Sequence, residues 1–486
     1  MTDGGAGPLP FATALEAAAA VRARRLSARE LTQLVLERVQ RLNPALNALV
    51  NVCAEEALAE AGAADRALAA GVEPGPLHGV PVTVKESIDV KGLPATGGFP
   101  GLKGRHPLVD AACVARLRAA GAIVIGNTNV PALLADWQTD NPIYGRTSSP
   151  WDPGRTPGGS SGGSAAALAA GLGFLSLGSD LAGSIRIPAH FSGVYGHKPT
   201  LDLVPERGHV PLPPFREPQP PTGLAVLGPM ARSAGDLAAA LRTVAGPLNP
   251  GHRWTEPAPR RSRLAGYRLG YVLDHPRCPL SSDVRAVLEA ALDALRRAGV
   301  SLVEGFPAGV DAEADFRTYV YLLHAAIGVA SSGAEMEALR ERARRGDDSI
   351  AAIRARAITS PHGAQLDALS RRLRAQSVWA EFFKEHDAFL MPAAFTAAFA
   401  HDAGRWSQRR LPTPEGDRPY DDVLFWSVFA SLTGLPATVA PVGLTAAGLP
   451  VGVQIMGPYL EDATPIDVAA RMAEVTGGFR SPPGYE

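Results

Sequence analysis

The sequence predicts an α/β protein: a single large α/β/α sandwich around a central mixed, twisted sheet. A phrase that occurs twice carries this reading, in Cys113 to Gly126 (CVARLRAAGAIVIG) and Val284 to Glu304 (VRAVLEAALDALRRAGVSLVE), each a helix, a glycine and a short β-branched strand. Strand candidates also run from residue 80 to residue 455 with no clear linker, which makes one domain over 1–486 the economical division. With 486 residues, 46% of them hydrophobic, a sizeable core is available.

The elements follow in order. Ser27 and Glu30 form a capping box ahead of Leu31, Leu34, Val35, Leu36, Val39 and Leu42, an apolar helical face that Pro44 is expected to stop. An Ala-rich helix from about Glu55 to Ala70 completes the N-terminal helices, about 12–70. Leu77 to Val84 reads as a buried strand ending at Lys85. Further strands are expected at Leu269 to Leu273, Ala388 to Met391, Ala437 to Val442 and Val451 to Ile455. Pro211 to Pro221 reads as an ordered surface loop, since so many prolines cannot join a sheet interior. A peripheral helical layer is expected over about 313–385.

Composition narrows the function. Gly 51 and Pro 43 stay below the level of low-complexity chains. Lys+Arg 47 against Asp+Glu 48 leaves no global electrostatic footprint for nucleic acid or an anionic membrane. Cys53, Cys113 and Cys278 lie far apart, which argues against a disulfide framework and a thiolate zinc site and favours a reducing compartment. Asp3 and Glu16 speak against a secretory signal, and no apolar run is long enough for a membrane span. Only five of the basic residues are lysines: Lys85, Lys91, Lys103, Lys198 and Lys384.

The segment richest in chemistry is Gly154 to Thr200, GRTPGGSSGGSAAALAAGLGFLSLGSDLAGSIRIPAHFSGVYGHKPT. A flexible linker would not feed straight into apolar Ala165 to Leu177. A phosphate loop fails because Ser164 stands where its lysine belongs. Gly159, Ser161 and Gly163 match the elbow of Ser-His-Asp α/β-hydrolases, with Ser161 as nucleophile, but Pro150, Pro153 and Pro157 occupy the place of the required strand. A third reading pairs serines with a lysine base. Burial lowers a lysine's pKa by disfavouring its charged form, whereas arginine keeps its proton, so Lys85 at the end of an apolar strand suits the part. The turn Gly178 to Ser184 offers successive backbone N–H groups for a developing oxyanion.

These motifs resemble those of the amidase signature family. The resemblance rests on GGSSGGSAAALAAG, on GSDLAGSIRIPAHFSGVYGHKPT with Ser184 24 residues after Ser160, and on LHGVPVTVKESIDV around Lys85. It extends through GNTNVP (Gly126 to Pro131), LGPMARSAGDL (Leu227 to Leu237) and TGLPATVAPVGLTAAGLPVGVQIMGP (Thr433 to Pro458), weakening between about 240 and 385, with the signature core at about 77–200.

The resemblance implies the amidase signature fold and a catalytic set of Ser184 as nucleophile, Ser160 in a cis peptide bond as proton shuttle, and Lys85 as base. It implies an oxyanion hole from the amides of Leu181, Ala182, Gly183 and Ser184, supported by Ser161, Asp180 and Arg186. Asp180 and Arg186 read equally well as a structural ion pair. Ala182 replaces the first glycine of the usual Gly-Gly-Ser, Ser192 a common Cys and Ala132 a common Glu. Ile187 stands where the A-type component of tRNA-dependent amidotransferases typically carries Gln. His190 and His197 read as structural, and Trp137, Tyr144 and Trp151 as loop aromatics near the acyl pocket, with 211–221 and 405–420 as its rim.

The expected function is therefore hydrolysis of carboxylic amides through an acyl-enzyme, extending to carbamates (urethanes) and aryl esters. The alternatives are the A-type component of a tRNA-dependent amidotransferase working as a glutaminase, the Ser161 hydrolase, and a non-catalytic binding relative. No cofactor and no metal are called for. The expected partner is a small-molecule amide or carbamate, with no nucleic acid and no membrane, in the cytoplasm; a homodimer is compatible.

Overall fold

The computed structural model describes residues 9–210, 221–249, 252, 254–328 and 332–486. The proline-rich loop expected at 211–221 lies, but for Pro221, outside the described residues.

The chain opens on two helices that the sequence caps itself. In Ala28–Leu46 the Ser27 hydroxyl accepts the Glu30 amide at 3.0 Å, and the Glu30 carboxylate accepts the Ser27 amide at 2.8 Å. The helix runs through Pro44, contrary to expectation. Pro44 has no N–H to give the Gln40 carbonyl, and the helix carries this defect only two residues from its end. The stop falls at Asn47, which turns left-handed, while Asn43 Oδ1 accepts the amides of Ala48 and Leu49.

Eleven described strands form one sheet. In chain order they are β1 (Leu49–Val52), β2 (Pro81–Lys85), β3 (Ile123–Thr128), β4 (Leu175–Asp180), β5 (Tyr195–Lys198), β6 (Val226–Ala231), β7 (Arg268–Tyr271), β8 (Ser301–Glu304), β9 (Ala388–Pro392), β10 (Ala437–Leu444) and β11 (Pro450–Met456). Their spatial order is β1-β3-β2-β4-β6-β5-β10-β11-β9-β7-β8. Pairing is parallel across β3-β2-β4 and β9-β7-β8 and antiparallel elsewhere, so the sheet is mixed as expected.

Successive strand residues point to opposite faces, and in β2, β3, β4, β6, β9 and β11 every residue is buried. Both faces of the sheet are therefore covered, which makes the fold a three-layer sandwich. Both helix, glycine, strand phrases are realised, as Ala112–Ala119 before β3 and Ser282–Arg297 before β8.

Four strands escape the sequence reading: β1, β4, β5 and β6. β4 (LSLGSD) and β5 (YGHK) are short, polar in part, and lack two-residue alternation because neither face meets water. The layer at 312–385 is helical as expected, in Ala312–Ile327, Gly333–Arg344, Ile350–Thr359 and His362–Glu385. It is less peripheral than expected, since Tyr319 of its first helix reaches the loop after β4.

The helix Gly162–Ala169 packs against the end of β3 so closely that a Cβ on Gly163 would stand 2.4 Å from the Asn129 amide nitrogen and 2.7 Å from the Ala48 carbonyl oxygen. Neither backbone atom can move aside. Gly163→Ala is expected to lower stability by about 2 kcal/mol, read from the midpoint of urea unfolding, the range of overpacked cores. An unchanged midpoint would show that the helix can slide.

Candidate active site

β2, flanked by β3 and β4, ends at Lys85, which pairs with Thr128 of β3 while Val84 pairs with Leu177 of β4. The side chain is 0% exposed. Its Nζ lies 2.7 Å from Ser160 Oγ, 2.9 Å from Ser179 Oγ and 3.3 Å from the Ser179 carbonyl oxygen. Burial drives the ammonium down to about 7, against an opposing pull from Asp180.

Ser160 sits in a loop after Pro157, and the Gly159–Ser160 peptide bond is cis. The next amide, Ser161 N, donates to the Ser184 carbonyl at 3.0 Å and sets the two serine loops side by side. Ser160 is 1% exposed and Ser184 7%, so of the three groups Ser184 has the largest opening to solvent. Ser161 itself is fully buried at the start of Gly162–Ala169, and its Oγ touches the Ser179 backbone at 3.3 and 3.4 Å. No described strand leads into Ser161, so the hydrolase elbow is absent and its hydroxyl supports Ser179 instead.

The loop after β4 is organised by one carboxylate. Asp180 Oδ1 accepts the Gly183 amide at 3.0 Å, Oδ2 accepts the Ile185 amide at 3.0 Å, and both oxygens pair with Arg186 at 2.8 and 3.0 Å. Asp180 and Arg186 are 0% exposed. Burial raises the Asp180 carboxyl, but Arg186 and the amides outweigh it and hold the group at about 2. The ion-pair reading of Asp180 and Arg186 thus holds, together with a direct grip on the loop.

That grip reaches one of the amides expected to face an oxyanion. The Gly183 amide, one of the four expected donors, already bonds Asp180, whereas the amides of Leu181, Ala182 and Ser184 have no hydrogen-bond partner among the described residues. Two carbonyls are tied on the far side: the Tyr319 hydroxyl donates to Leu181 O, and Trp137 Nε1 donates to Ala182 O at 3.1 Å. Gly183 has φ +89°, and a Cβ there would stand 2.3 Å from Ser427 Oγ, so only glycine fits. Ala182 keeps an ordinary negative φ, which admits its side chain.

The remaining residues divide. Trp137 stacks obliquely on Trp406 and Tyr420, with ring centroids 5.0 and 5.4 Å away, which brings the 405–420 segment beside Ala182. Tyr144 turns instead to Glu86, and Trp151 to the Ser192 carbonyl. His190 bonds the backbone of Gly452 and Thr396, and His197 bonds Thr438 and Asp462, as structural histidines do. Tyr319, Ser179 and His209 went unread in the sequence. Ser179 lay inside the glycine-rich motif; the other two join the site only through long-range folding.

The family model Amidase matches residues 30–465. The chain is 34% identical to the A-type component of a glutamyl-tRNA(Gln) amidotransferase of Anaeromyxobacter dehalogenans, over 96% of this chain and 97% of that one. It is 34% identical to an indoleacetamide hydrolase of Bradyrhizobium diazoefficiens, over 97% and 88%. The structure superposes on a native peptide amidase from Stenotrophomonas maltophilia with a TM-score of 0.74 at 28% identity, over 98% and 99%. The chain belongs to the amidase signature family.

Proposed function

We propose that this chain hydrolyses carboxylic amide bonds with Ser184 as nucleophile, Ser160 as proton shuttle and neutral Lys85 as base. The observation that carries the reading is a fully buried amine 2.7 Å from a serine hydroxyl. A serine is a weak nucleophile until a positioned base takes its proton.

Ser184 Oγ adds to the substrate carbonyl carbon while its proton passes to Ser160 Oγ, whose own proton passes to the Lys85 lone pair. The carbonyl oxygen becomes an oxyanion facing the amides of Leu181, Ala182 and Ser184. The intermediate collapses as the Lys85 ammonium returns a proton through Ser160 to the leaving nitrogen. Water then repeats the sequence on the acyl-enzyme and frees the acid. Asp180, Arg186 and Ser161 hold the two loops without touching the reacting atoms. Carbamates and aryl esters present a carbonyl to the same nucleophile, with leaving groups no harder to expel. The aromatic cluster of Trp137, Trp406 and Tyr420 beside Ala182 supports aryl substrates first.

A second reading, the glutaminase component of a tRNA-dependent amidotransferase, is favoured by the 34% identity to such a component. Ile187 weighs against it, being a fully buried apolar residue packed on Gly183. Three free thiols fit a reducing compartment.

The test is a panel of an arylacetamide, an anilide, a primary alkyl amide, glutamine, an aryl carbamate and an aryl ester, with intact mass following an acyl adduct on Ser184. Amide turnover with an adduct that Ser184→Ala abolishes is the expected result. Glutamine-dependent ammonia release alone would favour the second reading, and no turnover would favour a binding relative. Lys85→Ala and Ser160→Ala should each lower kcat by about 10²- to 10⁴-fold with the fold intact by circular dichroism, the range for loss of general base catalysis. Wild-type rates in either would remove that residue from the mechanism. The base must be unprotonated, and its pKa is about 7, so kcat/KM should rise with pH through that value and level off above it. A flat profile between pH 5 and 9, roughly the window centred on that value, would contradict a lysine base.

A further inference from the structure

The hydrogen-bond chain does not end at the lysine. Ser179 Oγ, 2.9 Å from Lys85 Nζ, lies 3.2 Å from His209 Nε2, and that nitrogen lies 3.2 Å from Ser87 Oγ. The histidine has a built seat. His209 bridges to Ile88, the Asp89 amide donates to Gly208 O at 2.7 Å, and the Val210 amide donates to Ser87 O at 2.7 Å. The residues after Lys85 and the 208–210 turn are thus laced together, although 124 positions separate Lys85 from His209 in the chain.

A neutral amine has two N–H bonds and one lone pair. The Ser179 carbonyl and hydroxyl oxygens take the two hydrogens of Lys85, which leaves the lone pair for the Ser160 hydroxyl. This holds only while Ser179 accepts from Lys85. A hydroxyl that instead donated its hydrogen to Lys85 would occupy the lone pair that Ser160 needs. Among the described residues, the only other partner of Ser179 Oγ is His209 Nε2.

We propose that His209 is a positioning residue for the base: its Nε2 accepts the Ser179 hydroxyl hydrogen, which keeps Ser179 from donating to Lys85 and reserves the Lys85 lone pair for Ser160. Acceptance requires a neutral ring. Burial, and then the charge of Lys85, push His209 down to about 3, and the other cation facing it, Arg105, is paired with Asp89 at 2.6 Å. With the ring hydrogen on Nδ1, Nε2 carries one lone pair; it goes to Ser179, and Ser87, the second hydroxyl near that nitrogen, turns its own hydrogen elsewhere. The inference rests on the proposed function, since it concerns the proton path from Ser184.

The test uses a fluorophosphonate probe, which reports activation of Ser184 without needing the natural substrate. Labelling rates are measured by intact mass on the full chain as wild type, His209→Leu, Ser179→Ala and the double variant, with thermal unfolding run on each. His209→Leu should slow labelling about tenfold, a coupling usual for contacting residues. In the Ser179→Ala background, where the competing hydroxyl is gone, the same change should cost less than about twofold. His209→Gln, whose carbonyl can accept, should stay within about threefold of wild type. Should His209→Leu fail to fold, His209→Met serves as the acceptor-free variant. Wild-type labelling in the acceptor-free variant, or an equal loss with and without Ser179, would overturn the inference. A wild-type chain that does not label, or labels equally well as Ser184→Ala, would overturn the proposed function and this inference with it.

Discussion

Removing one amine from water is the constraint on which the rest of this structure depends. A lysine in contact with solvent keeps its proton near pH 10 and cannot serve as a base at neutral pH. The sheet, covered on both faces around β2, denies Lys85 that hydration and brings it to about 7. Burial alone would not give the base proposed for Lys85, and Lys198 is the comparison. It is equally buried and also brought to about 7, yet among the described residues its Nζ bonds only the carbonyl oxygens of Pro199 and Leu435, which accept hydrogens and offer none to a lone pair. Lys85 differs because two of its partners are hydroxyls.

The nearby carboxylate could have undone this, because a free Asp180 would pull a proton back onto Lys85. It is neutralised by Arg186 at 2.8 Å and by two loop amides. The same bonds fix the turn that carries Ser184, so one buried ion pair both protects the lysine's low pKa and shapes the loop. The cost of burying that pair is met by its completeness: Arg186 also reaches the Ser427 carbonyl, Gln454 and Ser431. Tyr319 and Trp137 then hold the loop's carbonyls away from the open amides.

Much of this was legible in the sequence where chemistry is local. Lys85 stood out as a lysine at the end of an apolar strand in an arginine-rich chain, and the glycine-serine motifs pointed to Ser160 and Ser184 with their 24-residue spacing. The mixed α/β class followed from helix, glycine, strand phrases that the fold repeats as written. What failed to show was either non-local or without period. β4 and β5 are short segments buried on both faces, so they carry no alternation, and Asn43 and Asn47 rather than Pro44 end the second helix. His209 and Tyr319 reach the site from segments that no motif marks, and no motif showed that the Gly183 amide would bond the Asp180 side chain.

With only five lysines in the chain, the central claim is open to direct measurement. Carbon-13 labelling at lysine Cε gives five NMR signals whose shifts follow ionisation, and the Lys85→Met variant assigns one of them. The account expects that signal to titrate near 7, with Lys198 comparably low. A Lys85 signal that titrates at about 10.4, as a hydrated lysine does, would contradict it.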